Sequence, residues 1–194
     1  MFYFFNWSCI TKDDLLQKGN VKKMNNRRKD IDFSIKTSKI CGKILAYILI
    51  SNKFFPDLNI NLIGFGLGCN VVKHCIKEMH VNKQNNSFIN LKNVILIGGA
   101  THLNKKKWKI YIEDLVADKF INCYYSEDEI LKYFNEIGSR RGNKKAIGIE
   151  KLDIKNEKDI DLVINHDFSE KKFDQLSYKL KFVVETIFGN YKDI

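Results

Sequence analysis

A short apolar run followed by three closely spaced glycines constrains the fold of this chain more than any other feature. The run Asn59–Ile63 has the length and the Ile/Leu content of a buried strand. Gly64-Phe65-Gly66-Leu67-Gly68 follows it, and Cys69–His80 then places apolar residues at helical spacing. The segment predicts a strand, a tight turn and a helix. A strand that leads directly into a helix is typical of α/β proteins.

Similar strand and helix patterns alternate along the rest of the chain. The predicted strands are Asn59–Ile63, Asn93–Ile97, Phe120–Tyr125 and Asp161–Asn165. The predicted helices are Lys36–Ser51, Cys69–His80, Glu127–Ile137 and Phe173–Phe188. This alternation predicts an α/β fold with a parallel sheet flanked by helices. We expect an irregular basic segment over residues 1–35 and a folded domain over residues 36–194.

Composition restricts the function classes. The formal net charge is +10, but no basic helix with interleaved aromatic residues accompanies it, so nucleic-acid binding is not expected. The five cysteines form no C-x-x-C pair, which favours a reducing, intracellular (cytoplasmic) compartment and no cysteine-based metal site. No apolar run approaches the ~20 residues that span a bilayer. We therefore expect no transmembrane segment, no metal and no cofactor.

Glycine turns of this type occur in three kinds of site. A dinucleotide fingerprint needs a third glycine where Cys69 stands and an acidic residue after the next strand, and the sequence has neither. An anion site would use the amide groups around Gly66–Gly68 at the start of the helix. A nucleophile turn of the form G-x-S-x-G needs small residues on both sides of its apex, which Gly64 and Gly68 supply. Its apex, however, is Gly66 instead of a serine.

Around this turn the chain resembles the α/β-hydrolase-like (lipase/esterase-like) domain of the transmembrane and coiled-coil domain-containing family. Residues Leu62–Gly68 are similar to that family's L-I-G-F-S-L-G, and Val94–Ala100 to its V-V-L-L-G-A-P. Trp108 and Phe120–Leu131 resemble its W…G-R-x-x-N-x-Y-x-x-x-D-x-x-L segment, and Asp167–Ser169 with Tyr178 its D-L-S…G-H-x-x-Y ending. The resemblance covers residues 36–188. It implies only the C-terminal half of a hydrolase sheet, about four strands.

The resemblance places the family's catalytic triad on particular positions of this sequence. It puts the serine on Gly66, the acid on Asp128 and the histidine on Gln175, and it makes the N–H of Leu67 an oxyanion donor. Only the acid is retained. Serine forms the acyl intermediate and histidine accepts its proton, so the resemblance implies a domain that has lost catalysis.

Two other residues are candidates to replace the lost groups. His166 follows the last predicted strand and is the best substitute base, although a loop histidine without a role is the simpler interpretation. Cys69 has a nucleophilic sulfur atom and lies near the turn, but it is part of the predicted helix, three positions past the apex. We predict a non-catalytic binding or assembly role, or a degenerate family member. The alternative is an esterase or lipase with relocated catalytic groups.

The resemblance also carries expectations about partners. A half sheet leaves an open edge, which would pair with a protein partner or with a second copy of the chain. A lipid or ester would be the ligand. Peripheral membrane association is expected only because the family that the chain resembles includes membrane proteins.

Overall fold

The chain folds into a parallel four-stranded sheet flanked by helices, as predicted. The computed structural model describes residues 21–51, 59–83, 91–138, 145–154 and 162–168, together with residue 185. In chain order the elements are α1 (Val21–Ile50), β1 (Ile60–Phe65), α2 (Gly68–Asn82), β2 (Leu91–Ile97), α3 (Lys105–Leu115), β3 (Val116–Tyr124), α4 (Glu129–Gly138), a 3-10 turn (Ile147–Ile149) and β4 (Val163–Asp167). The sheet order is β1-β2-β3-β4, and every neighbouring pair is parallel.

Helix α1 is longer than predicted. It begins at Val21 instead of Lys36, so residues 21–35 of the segment that we expected to be irregular are helical. The charged run misled the prediction because lysine and arginine are good helix formers, and no glycine or proline interrupts residues 21–41. The boundary between an N-terminal segment and a domain stays a prediction. The predicted helix Phe173–Phe188 lies outside the described residues, except for residue 185.

Helix α3 was not predicted at all, because its first turn is a run of lysines that resembles a loop. Asn104 caps this helix, since its side-chain oxygen accepts a hydrogen bond from Lys107 N at 3.1 Å. The helix then buries Trp108 and Ile112 against the sheet. The Trp108 and Phe120 rings lie 5.2 Å apart, which anchors α3 on β3.

The main core lies between one face of the sheet and helices α1, α2 and α3. Helix α2 contributes Val72, Ile76 and Met79 to it, and α1 adds Ala46 and Leu49. Helix α1 packs very closely on α2, because a Cβ built on Gly42 would lie 2.7 Å from His74 Cβ. The burial of these apolar side chains contributes most of the free energy that holds the layers together.

The opposite face of the sheet has a second apolar cluster. It contains Ile95 and Ile97 of β2, Ile121 and Cys123 of β3, and Phe168. No described helix residue belongs to this cluster. On β1 the same face is more open, since Ile63 is 42% exposed.

Candidate functional site

The turn between β1 and α2 is built around Gly66. Its φ is +53°, in the left-handed region that residues with a Cβ rarely adopt. The Gly66 N–H donates to Ile97 O at 2.9 Å, and the Gly66 carbonyl accepts from Cys69 N at 3.2 Å and from Ala100 N at 2.9 Å. These backbone bonds tie the turn to its own helix and to the end of β2.

The two glycines at positions 64 and 66 are required for different reasons. A Cβ built on Gly64 would lie 2.8 Å from Cys69 Cα, so the strand meets the helix backbone there with no room for a side chain. A Cβ on Gly66 would have no atom within 4 Å. A side chain at position 66 would therefore point into open space above the turn. Gly68 is the first residue of α2 and is half-buried.

Leu67 is the N-cap residue of α2, directly after the apex. Its N–H donates to no other backbone group among the described residues. Amide groups at the start of a helix can stabilise negative charge. This backbone N–H lies beside Gly66, and the oxyanion role that the resemblance implies for it stays a prediction.

A second glycine turn lies beside the first, at the end of β2. Gly98 also has φ +53° and open space at its Cβ position, and its N–H donates to Cys123 O at 2.9 Å. Gly148 N donates to Gly99 O at 3.0 Å, and a Cβ on Gly148 would overlap the Gly98–Gly99 backbone. Sequence reasoning missed Gly148, because only the fold reveals this contact between distant segments.

Asp128 has a structural role in this fold. Its Oδ1 accepts a hydrogen bond from Leu131 N at 2.9 Å, and its own N–H donates to Tyr125 O at 3.2 Å. A carboxylate that bonds the third amide of the helix that follows is a helix N-cap. The residue expected to be the triad acid therefore caps α4.

His166 lies within strand β4, whereas the sequence placed it after the last strand. It pairs in register with Cys123 on β3, and its ring stacks on Phe168 with the centroids 6.4 Å apart. It belongs to the second face of the sheet, beside the apolar cluster there. Gln175, where the resemblance places the family's histidine, lies outside the described residues.

Cys69 is unsuited to nucleophilic attack. Its side chain is buried and its Sγ lies 3.7 Å from Ile97 O. Burial raises the pKa of the Cys69 thiol to about 12. The thiolate is the reactive form of cysteine, so Cys69 is inert at neutral pH.

A buried polar chain near the turn was not anticipated from the sequence. Thr101 Oγ1 donates to Asn70 Oδ1 at 2.9 Å, and Asn70 Nδ2 donates to Ser38 Oγ at 2.7 Å. These three side chains connect the loop after β2, the first turn of α2 and helix α1. They hold the start of α2 in a fixed position next to the turn, since a buried polar network whose groups are all hydrogen-bonded favours one packing arrangement.

A shallow open cavity lies away from the turn, where α2 and α3 end. Asp114 accepts from Lys83 Nζ at 2.6 Å and contacts His80 Nδ1 at 2.7 Å. Desolvation raises the pKa of Asp114, but the hydrogen bonds from Lys83 and His80 outweigh it and leave the pKa below its usual value. Lys83 also donates to the Asp114 carbonyl at 2.6 Å. The group holds two helix ends together through the Lys83–Asp114 ion pair and these hydrogen bonds.

No group of His, Cys, Asp or Glu side chains within the described ranges has the arrangement of a metal site.

Residues 22–189 match the family described as "Protein of unknown function (DUF726)". The chain belongs to that family. The match includes every described strand, the glycine turn and nearly all of helix α1.

Several relatives are similar to parts of this DUF726 chain. A rice (Oryza sativa subsp. japonica) protein, "Transmembrane and coiled-coil domain-containing protein STS1", is 30% identical over 98 residues, which are 50% of this chain and 14% of that protein. An "Uncharacterized membrane protein" of Schizosaccharomyces pombe is 28% identical over 131 residues, 63% of this chain and 16% of that protein. Another protein with the description "Uncharacterized membrane protein", from Caenorhabditis elegans, is 30% identical over 119 residues, which are 61% of this chain and 18% of that protein.

The DUF726 chain therefore spans less than a fifth of the length of these relatives. No solved structure matches it. Among its described residues, no helix combines the length and the apolar character that crossing a bilayer requires.

Proposed function

We propose that this DUF726 chain is an α/β-hydrolase-like domain that has lost catalysis and acts in binding or assembly. The observation that supports this proposal best is the conformation of Gly66. It holds the apex of a strand–turn–helix unit at φ +53° with open space above it, yet provides no side chain to react. A strained, exposed apex is the geometry in which a nucleophilic serine is presented.

The chemistry around the turn supports the loss of activity. Acyl transfer requires a nucleophile and a base that accepts its proton. Gln175 cannot exchange a proton near neutral pH. Cys69 is buried and protonated, and Asp128 already bonds its own helix. An amide donor such as Leu67 N–H can bind an oxyanion but cannot start the reaction.

The sheet supports a role in binding or assembly. Among the described strands, β1 is paired on one side only, and an edge strand can accept another strand. Ile63 is 42% exposed on the same strand. A protein partner or a second copy of the chain would pair there, and a lipid or ester ligand would occupy the space above Gly66.

Labelling with a fluorophosphonate probe of serine hydrolases tests this proposal. The wild-type protein is compared with Gly66→Ser and with Gly66→Ser/Gln175→His. Gly98→Ser/Gln175→His is the matched control, since Gly98 has the same φ and the same open space one strand away.

We expect no labelling of the wild type and labelling of the Gly66→Ser/Gln175→His variant only. Labelling of the wild type at an identified residue would mean that the domain is an esterase or lipase with relocated groups. Equal labelling of the Gly66 and Gly98 double variants would mean that the turn at Gly66 has no special geometry.

The names of the relatives extend the proposal to location. Two of them are described as membrane proteins and one as transmembrane. We therefore also propose that this chain works at a membrane surface.

A further inference from the structure

Helix α1 has a row of exposed apolar side chains along its outer side. Phe33 is 70% exposed, Ile40 59%, Ile44 48% and Tyr47 55%. Their spacings are seven, four and three residues, so they lie on one side of the helix. At 1.5 Å per residue the row is about 21 Å long. We call these four residues the outer stripe.

The outer stripe is not needed for the core of the domain. The opposite side of α1 buries Ile31, Ala46 and Leu49, and Gly42 lies directly on α2. These residues follow a similar helical spacing on the other side of the axis. The helix is thus apolar on two opposite sides, and only one of them faces the protein.

A row of lysines runs beside the outer stripe. Lys29, Lys36 and Lys43 are exposed and spaced seven residues apart, so each lies one turn from a stripe residue. The whole helix has eight basic and two acidic residues, and it therefore carries most of the chain's formal charge of +10. An anionic partner that also accepts apolar side chains would complement this surface.

One acidic residue of α2 lies against the outer stripe and is paired there. Glu78 of α2 is only 13% exposed, and it bonds Lys43 Nζ at 3.4 Å and the Tyr47 hydroxyl at 3.1 Å. Asp30 is an exposed acid of α1 and lies three residues before Phe33, the first residue of the stripe. Because Glu78 offsets the charge of Lys43, the positive charge beside the stripe comes mainly from Lys29 and Lys36.

We propose that the outer stripe of α1 binds the surface of an anionic lipid bilayer, with the helix in the plane of the membrane. The apolar side chains would enter the boundary between headgroups and acyl chains, and the lysines would contact anionic headgroups. Lysine suits this position because its apolar stem can lie along the membrane boundary while its ammonium stays in water.

Charge favours lipid over a second copy of the chain. Two α1 helices paired through the stripe would bring together two segments that each have eight basic and two acidic residues, and like charges oppose association. This inference deepens the proposed membrane location by naming the surface and the lipid class. It does not depend on what happens at Gly66.

Co-sedimentation of the full chain with vesicles tests the proposal. The vesicles are phosphatidylcholine alone or phosphatidylcholine with about 30% phosphatidylserine. We expect binding to the anionic vesicles only, and weaker binding at high salt. Lys36→Gln should weaken the partition coefficient about five-fold, the effect typical of one basic residue near an anionic surface. Lys106→Gln, an exposed lysine of α3, is the matched control.

The apolar part of the surface has its own matched pair. Ile44→Ser should reduce binding about five-fold or more, since an inserted side chain gains from burial. Ile110→Ser should not, although Ile110 of α3 is 51% exposed. Phe33→Trp adds a reporter to the stripe. Its fluorescence, after subtraction of the wild-type signal, should shift to the blue with anionic vesicles, and that of Ile110→Trp should not.

The outcomes separate the possible errors. Binding that Ile44→Ser and Lys36→Gln leave unchanged would overturn the assignment of the surface but keep the membrane location. No binding to either vesicle would overturn both. Self-association in solution that Ile44→Ser abolishes, without vesicle binding, would assign the stripe to a second copy of the chain and overturn the lipid proposal.

Discussion

The two glycines of the turn offer a sharp test of the physical reasoning, because they are two residues apart and constrained by different forces. Gly66 is required only for its conformation. A residue with a Cβ in the left-handed region costs about 1–2 kcal/mol, and the lower entropy of the unfolded chain returns about 0.4–1 kcal/mol. Since nothing lies within 4 Å of the Cβ position, there is no steric penalty to add. Gly66→Ala should therefore destabilise the protein by about 1 kcal/mol.

Gly64 is required only for its lack of volume. A Cβ there would lie 2.8 Å from Cys69 Cα and 2.9 Å from Cys69 N, and backbone atoms cannot rotate away as a flexible side chain can. The strand is also fixed, because Gly64 pairs in register with Leu96. Overpacking of this kind costs about 1–3 kcal/mol and occasionally more, so we expect Gly64→Ala to cost about 3 kcal/mol.

Equilibrium urea unfolding of Ala, Ser and Asn variants at both positions separates the two causes. At position 66 the Asn variant should be more stable than the Ala variant, since Asn tolerates the left-handed region. At position 64 the cost should rise with side-chain size from Ala to Asn. In thermal unfolding, 1 kcal/mol corresponds to about 2–4 °C for a chain of this size. The same order of variants at both positions would refute this account of the turn.

Two further predictions concern single side chains. Asp128→Ala should lose the cap on Leu131 N and cost about 1 kcal/mol, whereas Asp128→Asn, which can still cap, should cost less in the same urea assay. Desolvation and then nearby lysines lower the pKa of His74 to about 4 from 6.5. The unfolded chain therefore binds a proton between these values while the folded chain does not, and stability should fall as the pH drops from about 6.5 to about 4. His74→Gln should flatten that part of the stability–pH curve, and an unchanged slope would exclude His74 as its source.

The strands could be predicted because both sequence composition and length indicate them. The order of four Ile- and Val-rich runs separated by helical patterns was sufficient for the parallel sheet. The strand boundaries were less accurate, since backbone pairing between strands can continue after the apolar residues end. The third strand shows this, because it begins at Val116 instead of Phe120 and its first residues include the exposed Ala117 and Asp118.

The helices at lysine-rich positions could not be predicted in the same way. Charged residues are common both in loops and on the exposed side of a helix, and only packing decides between them. The first turn of α3 became helical because Trp108 and Ile112 are buried further along. The polar chain from Thr101 through Asn70 to Ser38 was also hidden, since each residue is 31 or 32 positions from its partner.

The turn at Gly66 does not need a catalytic side chain in order to persist. Its conformation is held by three backbone hydrogen bonds, to Ile97, Cys69 and Ala100, and none of them involves a side chain at the apex. If a serine once stood there, its replacement by glycine would have removed the reacting group, relieved the left-handed strain and left every one of these bonds in place. Loss of activity and retention of the fold are therefore compatible at this position. At a turn held in place by its apex side chain, the same substitution would have removed both the activity and the conformation of the turn.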